Sequence, residues 1–284
     1  MRILDPLGET LVELAARLET AHVPLIVGGG YGLVLRAAHL QLTKVQTLRP
    51  ILPVRATHDL DLFLAGEVIA ESSCMRALRK VLDEMGFRPV PGAEYYQFVR
   101  TAMVGGRGRE IKVDLLAQIP EDRRAVSLDS RRIRPKGFRA IHAHTTPEAV
   151  TVGKDLRPLF LSTREWEAQV YLPHPFSILL LKLFALRDQH MDPGKGLGRH
   201  HALDLYQALR MTTEEEWRRA PAFFAEFRED PAVEEAVRIR LALLGAPSAV
   251  GTLRLLEAAR EEGFDLSDYP ADDFLRHLAT IFPG

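Results

Sequence analysis

Arg55-Ala56-Thr57-His58-Asp59-Leu60-Asp61-Leu62 decides the reading of this chain. Its second half alternates acid and leucine, the period of a strand with one polar and one apolar face. Asp59 and Asp61 then emerge on one face, roughly 6–7 Å apart along the strand. Leu60, Leu62 and Leu64 point to the other face. Upstream, Leu25-Ile26-Val27 reads as a short buried strand broken by Gly28-Gly29-Gly30, with a helix predicted from about Tyr31 to Leu40. Downstream, Ile111-Lys112-Val113-Asp114-Leu115-Leu116 reads as a second strand. Lys112, Asp114 and Leu116 share one of its faces; Ile111, Val113 and Leu115 share the other.

An Asp-x-Asp pair alone describes a solvated strand face equally well. Three carboxylates on two strands beside a glycine turn fit a narrower chemistry. Phosphoryl and nucleotidyl transfer need a divalent metal to neutralise phosphate charge and lower the pKa of the attacking hydroxyl. Magnesium takes hard oxygen ligands, commonly one or two protein carboxylates completed by phosphate and water. A third acid on a paired strand can hold a second metal or accept the hydroxyl proton. Among the groups this chemistry requires, Asp59, Asp61 and Asp114 are the candidate metal ligands.

The chain has 284 residues, 46% hydrophobic and 26% charged, enough for one large domain or two modest ones. A net charge of -1 gives no general affinity for nucleic acid, which leaves only a local basic surface to consider. Cys74 is the only cysteine, so an internal disulfide and a cysteine zinc site are both excluded, in keeping with a reducing cytoplasm. Met1–Asp5 carries no signal-peptide pattern, and the longest apolar run, Phe176–Ala185, is interrupted by Lys182 and too short for a bilayer. A cytoplasmic protein without membrane contact is expected.

Asp5-Pro6 opens an amphipathic helix with Leu7, Leu11, Leu14 and Leu18. Residues 41–54 read as a long loop, and Ala70–Met85 as one helix closed by Gly86. Tyr95–Arg100 and Glu110–Gln118 read as strands joined by a turn at Gly105-Gly106-Arg107-Gly108, with weaker strands at Phe138–Ala143 and Leu159–Leu161. After Pro173 the pattern is almost wholly helical, with Thr212 and Glu215 spaced as a capping box. The expected architecture is α/β (α+β): a mixed β-sheet core flanked by helices over residues 1–165, then an all-helical domain over 166–284.

Val27-Gly28-Gly29, Arg55-x-Thr57-x-Asp59-x-Asp61-Leu62 and Val113-Asp114 together resemble the nucleotidyltransferase superfamily of the DNA polymerase β type. The nearest subgroup is the AbiEii/MenT-like nucleotidyltransferases, often toxins of toxin–antitoxin pairs; the resemblance covers roughly residues 20–210. It implies that Asp59, Asp61 and Asp114 are catalytic and hold Mg2+, with Mn2+ as a substitute. It also implies that Gly28, Gly29, Arg55 and Thr57 bind an NTP at the start of a helix. The chain departs from the pattern in the long interval between Gly29 and Asp59, read as an insertion around 38–53, and in Gly32, where the family often has serine or alanine.

Lys182 interrupts Ile178-Leu179-Leu180-Leu181-Lys182-Leu183-Phe184, where an ammonium needs an anionic partner. The resemblance pairs it with Asp204 on the following helix: Lys182 contacts the triphosphate, and Asp204 orients it or helps position the acceptor. A structural ion pair is the plainer reading. His200 and His201, with His190 and Asp192 nearby, lack a firm ligand spacing. Arg123, Arg124, Arg131, Arg132, Arg134, Lys136 and Arg139 form the densest basic stretch, offset by Glu121, Asp122 and Asp129 and with no interleaved aromatics. The function implied is transfer of NMP from an NTP to an acceptor hydroxyl, with RNA, a tRNA 3′ end above all, as acceptor and an antitoxin as partner. An antibiotic nucleotidyltransferase and a nucleotide-binding module without turnover are the alternatives.

Overall fold

The computed structural model describes residues 1–104, 107–120 and 122–284. Contacts divide the chain into two units, residues 1–32 with 55–173 and residues 33–54 with 174–284. This differs from a single break at 165. One further strand belongs to the first unit, and the segment read as an insertion belongs to the second.

The first unit begins with helix α1 (Pro6–Leu18), capped by Asp5, whose carboxylate accepts from the Gly8 amide at 2.9 Å. The Leu7, Leu11, Leu14 and Leu18 stripe is buried as its spacing requires. Strand β1 (Ile26–Val27) leads into α2 (Gly29–Thr43), and the division between units falls inside α2 after Gly32. Strand β2 (Asp59–Leu64) is followed by α3 (Gly66–Ala70) and α4 (Ser72–Glu84). The single helix expected over Ala70–Met85 is thus broken at Glu71, which has an extended backbone and whose carboxylate caps α4 by accepting from the Ser73 amide. Then come β3 (Arg88–Pro89), β4 (Gln97–Val104) and β5 (Arg107–Ala117). The expected glycine turn falls on Gly105 and Gly106, outside the described residues, while Arg107 and Gly108 belong to β5. Strands β6 (Val126–Asp129), β7 (Arg132–Pro135), β8 (Ala143–Thr145), β9 (Arg157–Ser162) and β10 (Glu167–Leu172) complete the unit. Phe138–Ile141 carries no strand; the pairing starts at Ala143.

All ten of these strands lie in one mixed sheet, ordered β6-β7-β8-β5-β2-β1-β10-β9, with β4 pairing β5 and β3 pairing β4. β1 and β2 are antiparallel, while β2 and β5 are parallel. Leu60, Leu62, Val113 and Leu115 are fully buried on one face, which leaves the acid-bearing face as the partly open one.

The second unit is helical: α5 (Pro175–Gln189), α6 (Arg199–Arg210), α7 (Glu214–Phe227), α8 (Pro231–Leu244), α9 (Val250–Glu261) and α10 (Ala271–Ile281). The capping box of α7 is one residue later than its sequence spacing suggested. Thr213 caps, with Glu216 returning the bond, because the Thr212 hydroxyl is already donated to the Ala208 carbonyl of α6. Glu216 also pairs with buried Arg36 of α2. Residues 44–54 are strapped to this unit: Arg210 donates to the Pro50 carbonyl at 2.7 Å and Gln207 to that of Pro53 at 2.8 Å. Among the described residues no helix is long and apolar enough to cross a membrane.

Candidate active site

The parallel register of β2 and β5 sets Asp61 opposite Asp114 and Asp59 opposite Lys112. Facing residues of paired strands share a sheet face, and neighbouring strands lie about 4.8 Å apart. Three carboxylates and one ammonium therefore form a two-by-two array on one face. β4 extends one row, because Gln97 stands opposite Asp114.

The glycine turn closes on this array. The Gly28 amide donates to the Asp61 carbonyl at 2.9 Å, which ties the end of β1 to the middle of β2. Gly29 has a φ of +59°, and a Cβ there would sit 1.7 Å from Asp61 Oδ2, so a side chain is excluded by conformation and by space. The Asp61 carboxylate lies directly against the first residue of α2. Gly30 packs against Thr57 and Arg55: its Cβ would lie 3.2 Å from Thr57 Cβ and 3.4 Å from Arg55 Nη2. Gly32 also has a steric reason, since a Cβ would meet the Val27 carbonyl oxygen at 2.7 Å. Gly28, Gly29, Arg55, Thr57, Asp59, Asp61 and Asp114 are thus gathered in the first unit, at one end of β2.

The electrostatics of the array are unbalanced. Lys112 Nζ lies 2.9 Å from Asp114 Oδ2. Burial works against the Lys112 ammonium, but Asp114, Asp59 and Asp61 outweigh it and hold Lys112 above the usual lysine range. Burial pushes Asp114 up to about 6; Lys112 opposes the shift and the charges of Asp61 and Asp59 add to it. Asp114 is only 9% exposed, and its Oδ1 is buried without a hydrogen-bond partner among the described residues. A buried carboxylate oxygen in a field of further carboxylates is the donor set a hard divalent cation takes. The residues fit such an ion, although no three His, Cys, Asp or Glu side chains among those described already converge on one point.

In the second unit, Lys182 of α5 and Asp204 of α6 form a buried ion pair, Nζ to Oδ2 at 2.6 Å. His190 and Asp192 are engaged locally, with the Arg187 carbonyl and the Gly194 amide respectively. The His200 and His201 rings pack against each other at 3.9 Å.

The basic stretch contains β6 and β7. Arg124 is chelated by Asp122 and Arg132 reaches Asp129 at 3.6 Å, while Glu121 lies outside the described residues. Pairing continues from Leu116 to His144 and from His144 to Arg132. Arg132, and Arg134 two residues on, therefore project from the same sheet face as Asp114. Aromatic residues do accompany them. Tyr95 stacks on His142 with ring centres 4.5 Å apart, and the Arg132 guanidinium lies 6.0 Å from the Tyr95 ring. Burial and the charges of Arg134 and Arg132 push His142 down to about 4. Tyr95, His142 and Gln97 escaped the sequence reading because contacts between distant segments alone bring them together: Gln97 stands opposite Asp114, and the His142 amide donates to the Tyr95 carbonyl.

No family model matches the sequence, and no curated protein matches it. Among solved structures, an antigenic nucleotidyltransferase-like protein from Paracoccidioides brasiliensis matches with a TM-score of 0.41 at 12% identity, over 81% of this chain and 92% of that one. The antibiotic-resistance factor ANT(2'')-Ia matches with a TM-score of 0.39 at 15% identity, over 82% and 97%. At these scores neither likeness assigns a fold family or a function to this chain.

Proposed function

We propose that this chain is a magnesium-dependent nucleotidyltransferase that transfers NMP from an NTP to an acceptor hydroxyl. The observation that carries the reading is the β2–β5 register, which sets Asp59 and Asp61 beside Asp114 with Gly29 packed on Asp61. In this reading Asp59 and Asp61 hold the metal and Asp114 is the third carboxylate. Bound Mg2+, or Mn2+ in its place, would neutralise triphosphate charge and acidify the acceptor hydroxyl. Gly28 and Gly29 let the triphosphate approach the backbone at the start of α2, flanked by Arg55 and Thr57. The hydroxyl oxygen bonds to the α-phosphorus, the α–β phosphoanhydride bond breaks, and pyrophosphate leaves with the bonding electrons. Asp114 takes the hydroxyl proton, a role suited to a carboxyl raised toward neutrality.

RNA is the acceptor we favour. Arg132 and Arg134 share the sheet face of the carboxylates, which suits a polyanion and not a polycationic antibiotic. The tRNA 3′ end, the toxin role with a protein antitoxin, the cytoplasmic setting, and contact of Lys182 with the triphosphate under the guidance of Asp204 rest on the resemblance to AbiEii/MenT-like proteins. The test is incubation with each α-labelled NTP, Mg2+ and total RNA. Label on RNA from the wild type and none from Asp61→Asn is expected. Label on an aminoglycoside or lincosamide instead would change the acceptor and keep the chemistry; transfer to nothing would overturn the reading.

A further inference from the structure

We infer that Lys112 is a built-in counter-cation that keeps Asp114 out of metal coordination, so that a divalent ion gains the third carboxylate only by displacing the Lys112 ammonium. The inference deepens the nucleotidyltransferase reading and rests on it for the nature of the ion. Four observations carry it. The register sets Lys112 opposite Asp59 and two residues from Asp114 on the same face. Its ammonium occupies Asp114 Oδ2 at 2.9 Å. The other oxygen, Asp114 Oδ1, is buried without a hydrogen-bond partner among the described residues. No three acids among those residues converge on one point.

A divalent ion on Asp114 Oδ1 would share one carboxylate with the Lys112 ammonium on Oδ2, and like charges at so short a separation repel. Asp59 and Asp61 become the entry pair, and magnesium is served by one or two protein carboxylates. The Lys112 side chain is 32% exposed, so its ammonium can move to water at small cost. The same geometry would also arise if Lys112 served only to offset the acids for folding, which predicts a loss of stability on its removal and no change in metal affinity.

The experiment is a Mn2+ titration of the whole chain, with free aqueous Mn2+ followed by electron paramagnetic resonance. Lys112→Met should bind Mn2+ about fivefold or more tightly than wild type, the scale of one partly exposed ion pair. Lys112→Arg should bind like wild type, and Lys112→Met/Asp114→Asn should lose the gain. Lys112→Gln, checked by circular dichroism, serves if the methionine variant does not fold. Equal or weaker binding by the neutral variants, or a gain that survives removal of Asp114, overturns the inference. Asp61→Asn separates the two claims. Wild-type binding that disappears in Asp61→Asn, with Lys112→Met unchanged, overturns the role of Lys112 alone. Binding indifferent to Asp61, or absent from every form, overturns the metal site and the enzyme reading with it.

Discussion

The β2–β5 array and the α5–α6 pair are both built from aspartate and lysine, and they are opposites. On the sheet, three carboxylates surround one lysine on a partly open face, and Asp114 is pushed up to about 6. Between the helices, Lys182 and Asp204 meet at 2.6 Å, with side chains 7% and 0% exposed. The first arrangement carries surplus negative charge that a cation can still satisfy. The second carries almost none, and its charges are held where water cannot replace either partner. Surplus charge marks a binding site; balanced buried charge marks an element whose loss is felt first in stability.

Substitutions should separate the two. Lys182→Met should give the largest loss of stability, about 4 kcal/mol, because it leaves the Asp204 carboxylate buried without its cation. Thermal or urea unfolding reads it, and an unchanged midpoint would break the contrast. Asp114→Asn should act in the opposite direction and through pH. The folded chain holds the Asp114 proton more tightly than the unfolded chain, whose carboxyl titrates near 3.8. Metal-free wild type therefore loses up to about 3 kcal/mol as pH rises from about 4 through about 6. Asp114→Asn lacks this loss, so its midpoint should exceed that of wild type at pH 7.5 and converge with it near pH 4. Parallel midpoints across that range would contradict the strained carboxyl. The smallest effect on stability is expected for Gly29→Ala, about 1–2 kcal/mol for a left-handed residue gaining a Cβ. Its Cβ must also move the Asp61 carboxylate, so loss of transfer activity should outrun loss of stability. Full activity in Gly29→Ala would show that Asp61 need not sit against α2.

The acid strand was legible because Asp59–Leu62 alternates cleanly and Leu60 and Leu62 have one place to go. The same holds for β5, where Lys112 and Asp114 could be assigned to one face from spacing alone. What spacing could not supply is register. That Asp59 faces Lys112, that Gln97 faces Asp114 and that Tyr95 stacks on His142 all depend on pairings between distant segments. β7 was missed because Arg132-Ile133-Arg134-Pro135 offers one aliphatic side chain among arginines and ends in proline. β10 was missed because it runs directly into Pro173, where the helical pattern begins. The strap over residues 44–54 reads as a loop in sequence, and it is one. Its anchors are the side chains of Gln207 and Arg210, more than 150 positions away.

The most direct test of the carboxylate array is pyrophosphate release by folded Asp61→Asn, with each of the four NTPs, Mg2+ and total RNA, beside wild type. Wild type should release pyrophosphate with at least one NTP. Asp61→Asn, folded by circular dichroism, should release none. Release by Asp61→Asn at the wild-type rate would contradict the assignment of this face as the site of nucleotidyl transfer.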